Sequence, residues 1–218
     1  MRLSGYVASC LFAVVLLSHA VQGQQPPEQR KLVNKSSNAI ASTPDFGTIT
    51  DNVYRNAVFG FDYKLPFGWV DRTKEMSDDS SDSNGSNKST LLLAAFERPP
   101  AASGDSVNSA VVFAVETVSS YPGLRNAEQY FGPLTELTKS KGLKVVNEPY
   151  PYSAGAMQLV RGDFSKALGN LTMCQSTLVM LANGYIVSFT FIGGSEDEVD
   201  GLVGSLTFAK EETPARPR

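Results

Sequence analysis

The chain has 218 residues and carries 19 Lys and Arg against 22 Asp and Glu, a formal net charge of −3. That mildly acidic balance offers no broad basic surface for nucleic acid. One histidine and two cysteines leave little material for imidazole catalysis, zinc ligation or disulfides.

Residues 1–23 read as a secretory signal peptide. Arg2 precedes an apolar run over residues 7–17, broken only by Ser9, and small residues follow around Ala20 and Gly23. The run is shorter than the ~20 residues needed to span a bilayer. Val7-Ala8-Ser9-Cys10 looks like a lipoprotein acylation box, but it precedes most of the apolar run, so no lipid anchor is expected. Cleavage would remove His19, Cys10 and Arg2. The mature chain is then expected to have no histidine, Cys174 as its lone thiol, and 19 − 1 = 18 basic against 22 acidic side chains. Secretion or a periplasmic location follows from the signal, and no later stretch reads as a membrane span.

Residues 24–50, with Gln24-Gln25-Pro26-Pro27 and no apolar period, read as a flexible tether. Residues 52–56 suit a short strand. Phe59, Phe61, Tyr63 and Leu65 then alternate, so an extended chain puts all four on one face, with Gly60, Asp62 and Lys64 opposite. Leu65-Pro66-Phe67-Gly68 reads as a turn with proline second and glycine fourth, and Trp69 folds back over the strand. Residues 76–89, with the acidic run at 78–87, read as a long mobile loop. Aligned on Gly85, the first and twelfth EF-hand positions fall on Ser80 and Leu91, so that calcium motif fails.

Residues 90–96 and 110–118 are apolar at nearly every position, as in strands buried on both faces. Asn126 and Gln129 form a capping box for a helix carrying Tyr130, Leu134 and Leu137, which Gly132-Pro133 should kink or restart and Gly142 should end. Pro149 and Pro151 exclude residues 144–152 from the middle of a sheet. Residues 157–164 form a further strand. Residues 171–182 and 185–192 are joined by Asn183-Gly184, a strong hairpin signal. That link sets Ala182 opposite Tyr185, Met180 opposite Val187 and Leu178 opposite Phe189, with Cys174 on the same apolar face. Ser195 and Glu198 cap a closing helix with Val199, Leu202 and Val203. Residues 205–208 read as a last short strand, and residues 209–218 read as a disordered tail.

The order implies an α+β fold: one domain over residues 51–208, an α/β/α sandwich with a central antiparallel sheet. No phosphate loop, dinucleotide fingerprint, nucleophile elbow or S-x-x-K occurs, so no catalytic residue, cofactor or metal site is expected. Trp69, Asp71 and Arg72 after the turn, and Tyr150 and Tyr152 between prolines, are the candidate partner-binding residues; rim packing is the plainer reading of both groups. Asn34, Asn84, Asn87 and Asn170 stand in N-x-[ST] sequons.

The Phe59-Gly-Phe-Asp-Tyr-Lys-Leu-Pro-Phe-Gly-Trp69 stretch resembles the opening of PsbP-like domains. That superfamily also holds a Ran-binding nuclear import factor and many bacterial exported proteins. The Asn126-Ala-Glu-Gln-Tyr130 helix start, the Asn-Gly hairpin and the closing helix are similar too. The resemblance implies an antiparallel sheet between helices and a binding or assembly role without catalysis, while the acidic 78–87 stretch departs from the compact pattern. The expected partner is an unidentified envelope protein. The alternatives are a small-molecule or metal-binding periplasmic module and a histidine-free hydrolase using paired carboxylates.

Overall fold

Burial alternates along the opening stretch as the sequence requires: Phe59, Phe61, Tyr63 and Leu65 are buried, while Asp62 and Lys64 are exposed. In the computed structural model, which describes residues 47–81, 89–99 and 104–208 (for 78–81 the backbone alone), the strand itself is only Phe61–Lys64 (β3). It is shorter than read because Gly60 sits at φ +68°, which turns the chain just before Phe61. The stretch read as a signal peptide, with His19 and Cys10, lies outside the described residues, as do residues 24–46, 82–88, 100–103 and 209–218 and with them Asn34, Asn84 and Asn87.

β3 belongs to a small antiparallel sheet in the order β1-β2-β3-β11, with β1 at Thr48–Thr50, β2 at Val53–Asn56 and β11 at Leu206–Phe208. Thr48–Thr50, read as the end of the tether, is thus a strand. Asp51 and Asn52, both at positive φ, supply the two-residue turn into β2, a conformation that Asp and Asn tolerate best among non-glycine residues.

The main sheet has seven antiparallel strands: β4 (Val70–Asp71), β5 (Thr90–Phe96), β6 (Ala110–Thr117), β10 (Tyr185–Gly193), β9 (Leu171–Ala182), β8 (Met157–Leu168) and β7 (Lys144–Ala154), in that spatial order. β6 lies inside the sheet, next to the central β10, with Ala110–Glu116 buried, and β7, which holds Pro149 and Pro151, forms an edge. The β9–β10 register pairs Ala182 with Tyr185, Met180 with Val187 and Leu178 with Phe189, as the Asn183-Gly184 turn dictates.

Two cores cover the two faces of this sheet. On one face Phe61 and Tyr63 meet Phe113, Phe189 and Phe191, with Phe61 edge-on to Phe189 at 4.9 Å and Tyr63 edge-on to Phe113 at 5.0 Å. The aromatic ridge therefore packs between two sheets, and helix α3 (Glu196–Val203) covers the rest of that face through Val199, Leu202 and Val203. On the other face helix α2 (Ala127–Ser140) inserts Tyr130, Phe131 and Leu134, and Met76 of helix α1 (Thr73–Ser81) packs beside them. This is an α+β fold around a central antiparallel sheet. The small second sheet is what the order of elements alone did not convey.

The helix ends explain the helix positions. Asp71 Oδ1 accepts from the Thr73 backbone N–H at 2.9 Å and from its hydroxyl at 2.6 Å, so residues 76–81, read as loop, continue a helix started by that cap. Asn126 accepts from the Gln129 N–H, and Gln129 Oε1 accepts in turn from Arg125 N–H. α2 runs through Pro133 without a restart. Its C-terminus closes with Leu143 N–H to Thr138 O and Gly142 N–H to Lys139 O, with Gly142 at φ +81°, the Schellman pattern.

Candidate functional site

The sequence candidates divide between opposite edges of the main sheet. Trp69, Asp71 and Arg72 accompany β4 at one edge, and Tyr150 and Tyr152 lie on β7 at the other. The structure does not bring the two groups together.

At the first edge, the turn spans Pro66–Trp69, one residue later than read: Trp69 N–H reaches Pro66 O at 3.4 Å, and Gly68 takes φ +81° at the third position, as a type II turn demands. Phe67 is left at the tip, 94% exposed. Trp69 is half-buried against the aromatic core. Asp71 is occupied in capping α1, and Arg72 stands 3.8 Å from Glu75 while its backbone N–H bonds Ala94 O. Phe67 was missed because alternation assigned its neighbours and nothing marked a turn residue as outward-facing.

At the second edge a polar network gathers around Arg161 and Asp163 of β8. Arg161 Nε donates to Asp163 Oδ1 at 2.8 Å, and its Nη2 donates to Ser176 Oγ at 2.9 Å and to Asp200 Oδ1 of α3 at 2.6 Å. The Asp163 carboxylate also accepts from Ser176 Oγ, from Asn147 Nδ2 at 3.0 Å and from Tyr150 OH at 3.0 Å. The Tyr152 ring lies 5.6 Å from the Arg161 guanidinium. β7 reaches this arrangement by irregular pairing: Asn147 is opposite Asp163 and Tyr150 is opposite Arg161, so three steps on β7 match two on β8. That extra residue puts Asn147 and Tyr150 on one face, which a regular strand would not do.

The electrostatics follow from these contacts. Burial pushes the Asp163 carboxyl up, but the bonds from Ser176, Arg161 and Asn147 and the Arg161 charge outweigh it, and the group lies below the usual carboxylate range. Burial alone would lower Arg161, and its bonds to Asp163 and Asp200 raise it instead. Tyr150 is pushed up to about 12, first by burial and then by its bond to Asp163. The network is thus a firmly ionised aspartate clamped by an arginine, a poor source of protons for general-acid chemistry. Asp163 and Asp200 bracket a guanidinium rather than facing each other across a cleft.

Two other titratable groups stand outside this network. Glu116, buried beneath α2, accepts from Tyr121 OH and from Tyr130 OH at 2.9 Å; burial raises its carboxyl above the usual value against those two bonds. Cys174, placed on the apolar face by register, is half-buried at the margin of the aromatic core, and burial followed by the charges of Glu196 and Glu198 raises its thiol. A raised thiol is a weak nucleophile. Asn170 is exposed at the β8–β9 turn. Among the described residues no helix is long and apolar enough to cross a membrane.

No family model and no curated protein matches the chain by sequence. Solved structures do resemble it. The solution structure of the cyanobacterial PsbP protein CyanoP from Synechocystis is 16% identical, covers 72% of this chain and 91% of its own, and superposes with a TM-score of 0.44. The likeness is to a PsbP-like fold. LpqN, involved in cell envelope biogenesis of Mycobacterium tuberculosis, is 12% identical over 68% of this chain and 83% of its own, with a TM-score of 0.36. A Pseudomonas aeruginosa protein of unknown function, PA94, is 13% identical over 68% of this chain and 85% of its own, with a TM-score of 0.34. At such identities and scores the PsbP-like likeness concerns fold and carries nothing about partner, ligand or reaction.

Proposed function

We propose that the protein is an exported, non-catalytic module that binds a protein partner in the cell envelope, using the turn before β4. The observation that supports this reading is Phe67, a large aromatic side chain 94% exposed at the tip of a glycine-set turn. An aromatic ring with few rotatable bonds gains much from burial and loses little entropy on being fixed, which is why such residues anchor interfaces. Here Trp69 is held against the core beside it, so the tip stands on a rigid base. The signal-like N-terminus and the missing catalytic motifs agree with this role.

Co-purification of the mature protein from its own envelope fraction tests the reading. The wild type is expected to retain a specific protein that Phe67→Ala loses, with the fold unchanged by circular dichroism. A wild type that retains nothing, or a Phe67→Ala variant that retains the same partner equally well, would contradict it.

A further inference from the structure

Six lysines fall among the described residues, and Lys139, Lys141, Lys144 and Lys166 lie at one corner, where α2 ends and β7 begins. Lys166 Nζ donates to the Lys141 carbonyl oxygen at 2.6 Å, and Lys144 pairs with Ser165, the neighbour of Lys166, so β8 ties the corner together. Lys139, Lys141 and Lys144 are exposed. Ion pairs among the described residues all use arginine: Arg55, Arg72, Arg98 and Arg161. Val146, two residues after Lys144, is 44% exposed, one of three large apolar side chains so exposed among the described residues.

Among the described residues, no carboxylate forms an ion pair with Lys139, Lys141 or Lys144. Glu148 is four residues along an extended strand from Lys144, roughly 13 Å at ~3.3 Å per residue. Gly193, just before the acidic first turn of α3, is separated from Lys144 by the Lys144–Ser165, Ser165–Cys174 and Cys174–Gly193 pairings. Three strand spacings are roughly 14 Å. Glu136, one helical turn before Lys139, and Asp163, three residues before Lys166 and already held by Arg161, lie closer in the chain.

From this arrangement we infer that the corner docks on the anionic phospholipid headgroups of a membrane surface. Lys139, Lys141 and Lys144 are exposed and make no ion pair among the described residues, so their charges remain available to a diffuse anionic plane. Val146 adds an apolar contact beside the charges. The phosphate plane would attract each lysine by about fivefold in affinity, so the three exposed lysines together supply roughly hundredfold. The inference is independent of the partner-binding reading, because the Phe67 turn adjoins β4, at the other edge of the sheet.

Vesicle co-sedimentation tests it, using the mature chain with phosphatidylcholine vesicles in which one lipid in three is phosphatidylglycerol. Binding is expected at low salt, weakening strongly at about 0.5 M NaCl, and absent on pure phosphatidylcholine. The K139Q/K141Q/K144Q variant should bind about a hundredfold more weakly, while K139R/K141R/K144R and the remote K64Q/K74Q control stay close to wild type. Equal binding to neutral and anionic vesicles would overturn the inference, as would a glutamine variant that binds like wild type. So would a corner that captures polyglutamate and ignores vesicles, which would assign it to an acidic protein instead. Unchanged thermal melting of the variants shows that charge, and not folding, is being read; should the glutamine variant fail to fold, single K141Q carries the same comparison with an expected loss of about fivefold.

Discussion

Arg161 and Asp200 are 39 residues apart in the chain and 2.6 Å apart in space, and their contact fastens α3 to the main sheet. The two partners stand differently toward water: the Arg161 side chain is 12% exposed and that of Asp200 is 58%. Removing them should therefore cost different amounts. Asp200→Asn removes a largely solvated pair and is expected to cost about 0–1 kcal/mol. Arg161→Met leaves Asp163 buried without its cation and is expected to cost about 3–5 kcal/mol. Urea denaturation of both variants checks the asymmetry, and equal losses would show that the buried pair is not what holds this edge.

Acid and base should act on stability through two different carboxyls. Asp163 titrates below its ordinary 3.8, so its contribution is fully present above that value and is lost as pH falls through the depressed folded value. Glu116 titrates above its ordinary 4.5, so its contribution is present below that value and is lost as pH rises through the raised folded value. Asp163→Asn should flatten the acid limb of a stability–pH curve. Glu116→Gln should flatten the limb above 4.5 and leave the protein at least as stable at neutral pH, because an amide can still bond both tyrosines without bearing charge. A curve whose two limbs are unmoved by these variants would contradict the assignment.

Tyr63 is wholly buried, and its hydroxyl has no hydrogen-bond partner among the described residues. Burial alone raises its ionisation. An orphaned buried hydroxyl costs about 1–3 kcal/mol. Tyr63→Phe keeps the ring that meets Phe113 and removes that cost, so it should stabilise the protein by about 1 kcal/mol, read as a higher melting temperature. A destabilised variant would mean that the hydroxyl is satisfied by buried water.

Gly162 lies directly under Phe131 of α2, and a Cβ there would stand 2.6 Å from the ring. The helix is seated on the sheet by that missing methyl. Gly162→Ala is expected to cost about 1–3 kcal/mol through overpacking, measured by thermal or urea unfolding. A neutral substitution would show that Phe131 moves freely in its core.

These relationships differ in how far the chain announces them. The β9–β10 register was legible to the residue because Asn183-Gly184 admits essentially one turn geometry. The place of β7 at the edge followed from two prolines that cannot donate to a ladder. The Arg161 network was not legible: it depends on an extra residue in β7, and alternation counts positions on the assumption that there is none. Tyr150 and Tyr152 lie together beside Arg161 and Asp163, but Arg161, Asp163 and Asp200 are scattered among polar positions with no local signature. The helix at Thr73–Ser81 was hidden by its composition, since Asp and Ser resemble loop, and its start rests on the Asp71 cap. The small sheet was missed for a third reason. β11 pairs with β3 across almost the whole domain, and a three-residue strand carries too little pattern to choose its partner.

The partner-binding role of the Phe67 turn is the central claim, and site-specific photo-crosslinking in the intact envelope tests it most directly. A photoreactive phenylalanine analogue at position 67 is predicted to give one discrete protein adduct, while the same analogue at exposed position 62 of β3 gives none. The same adducts from both positions, or no protein adduct from position 67, would contradict the account.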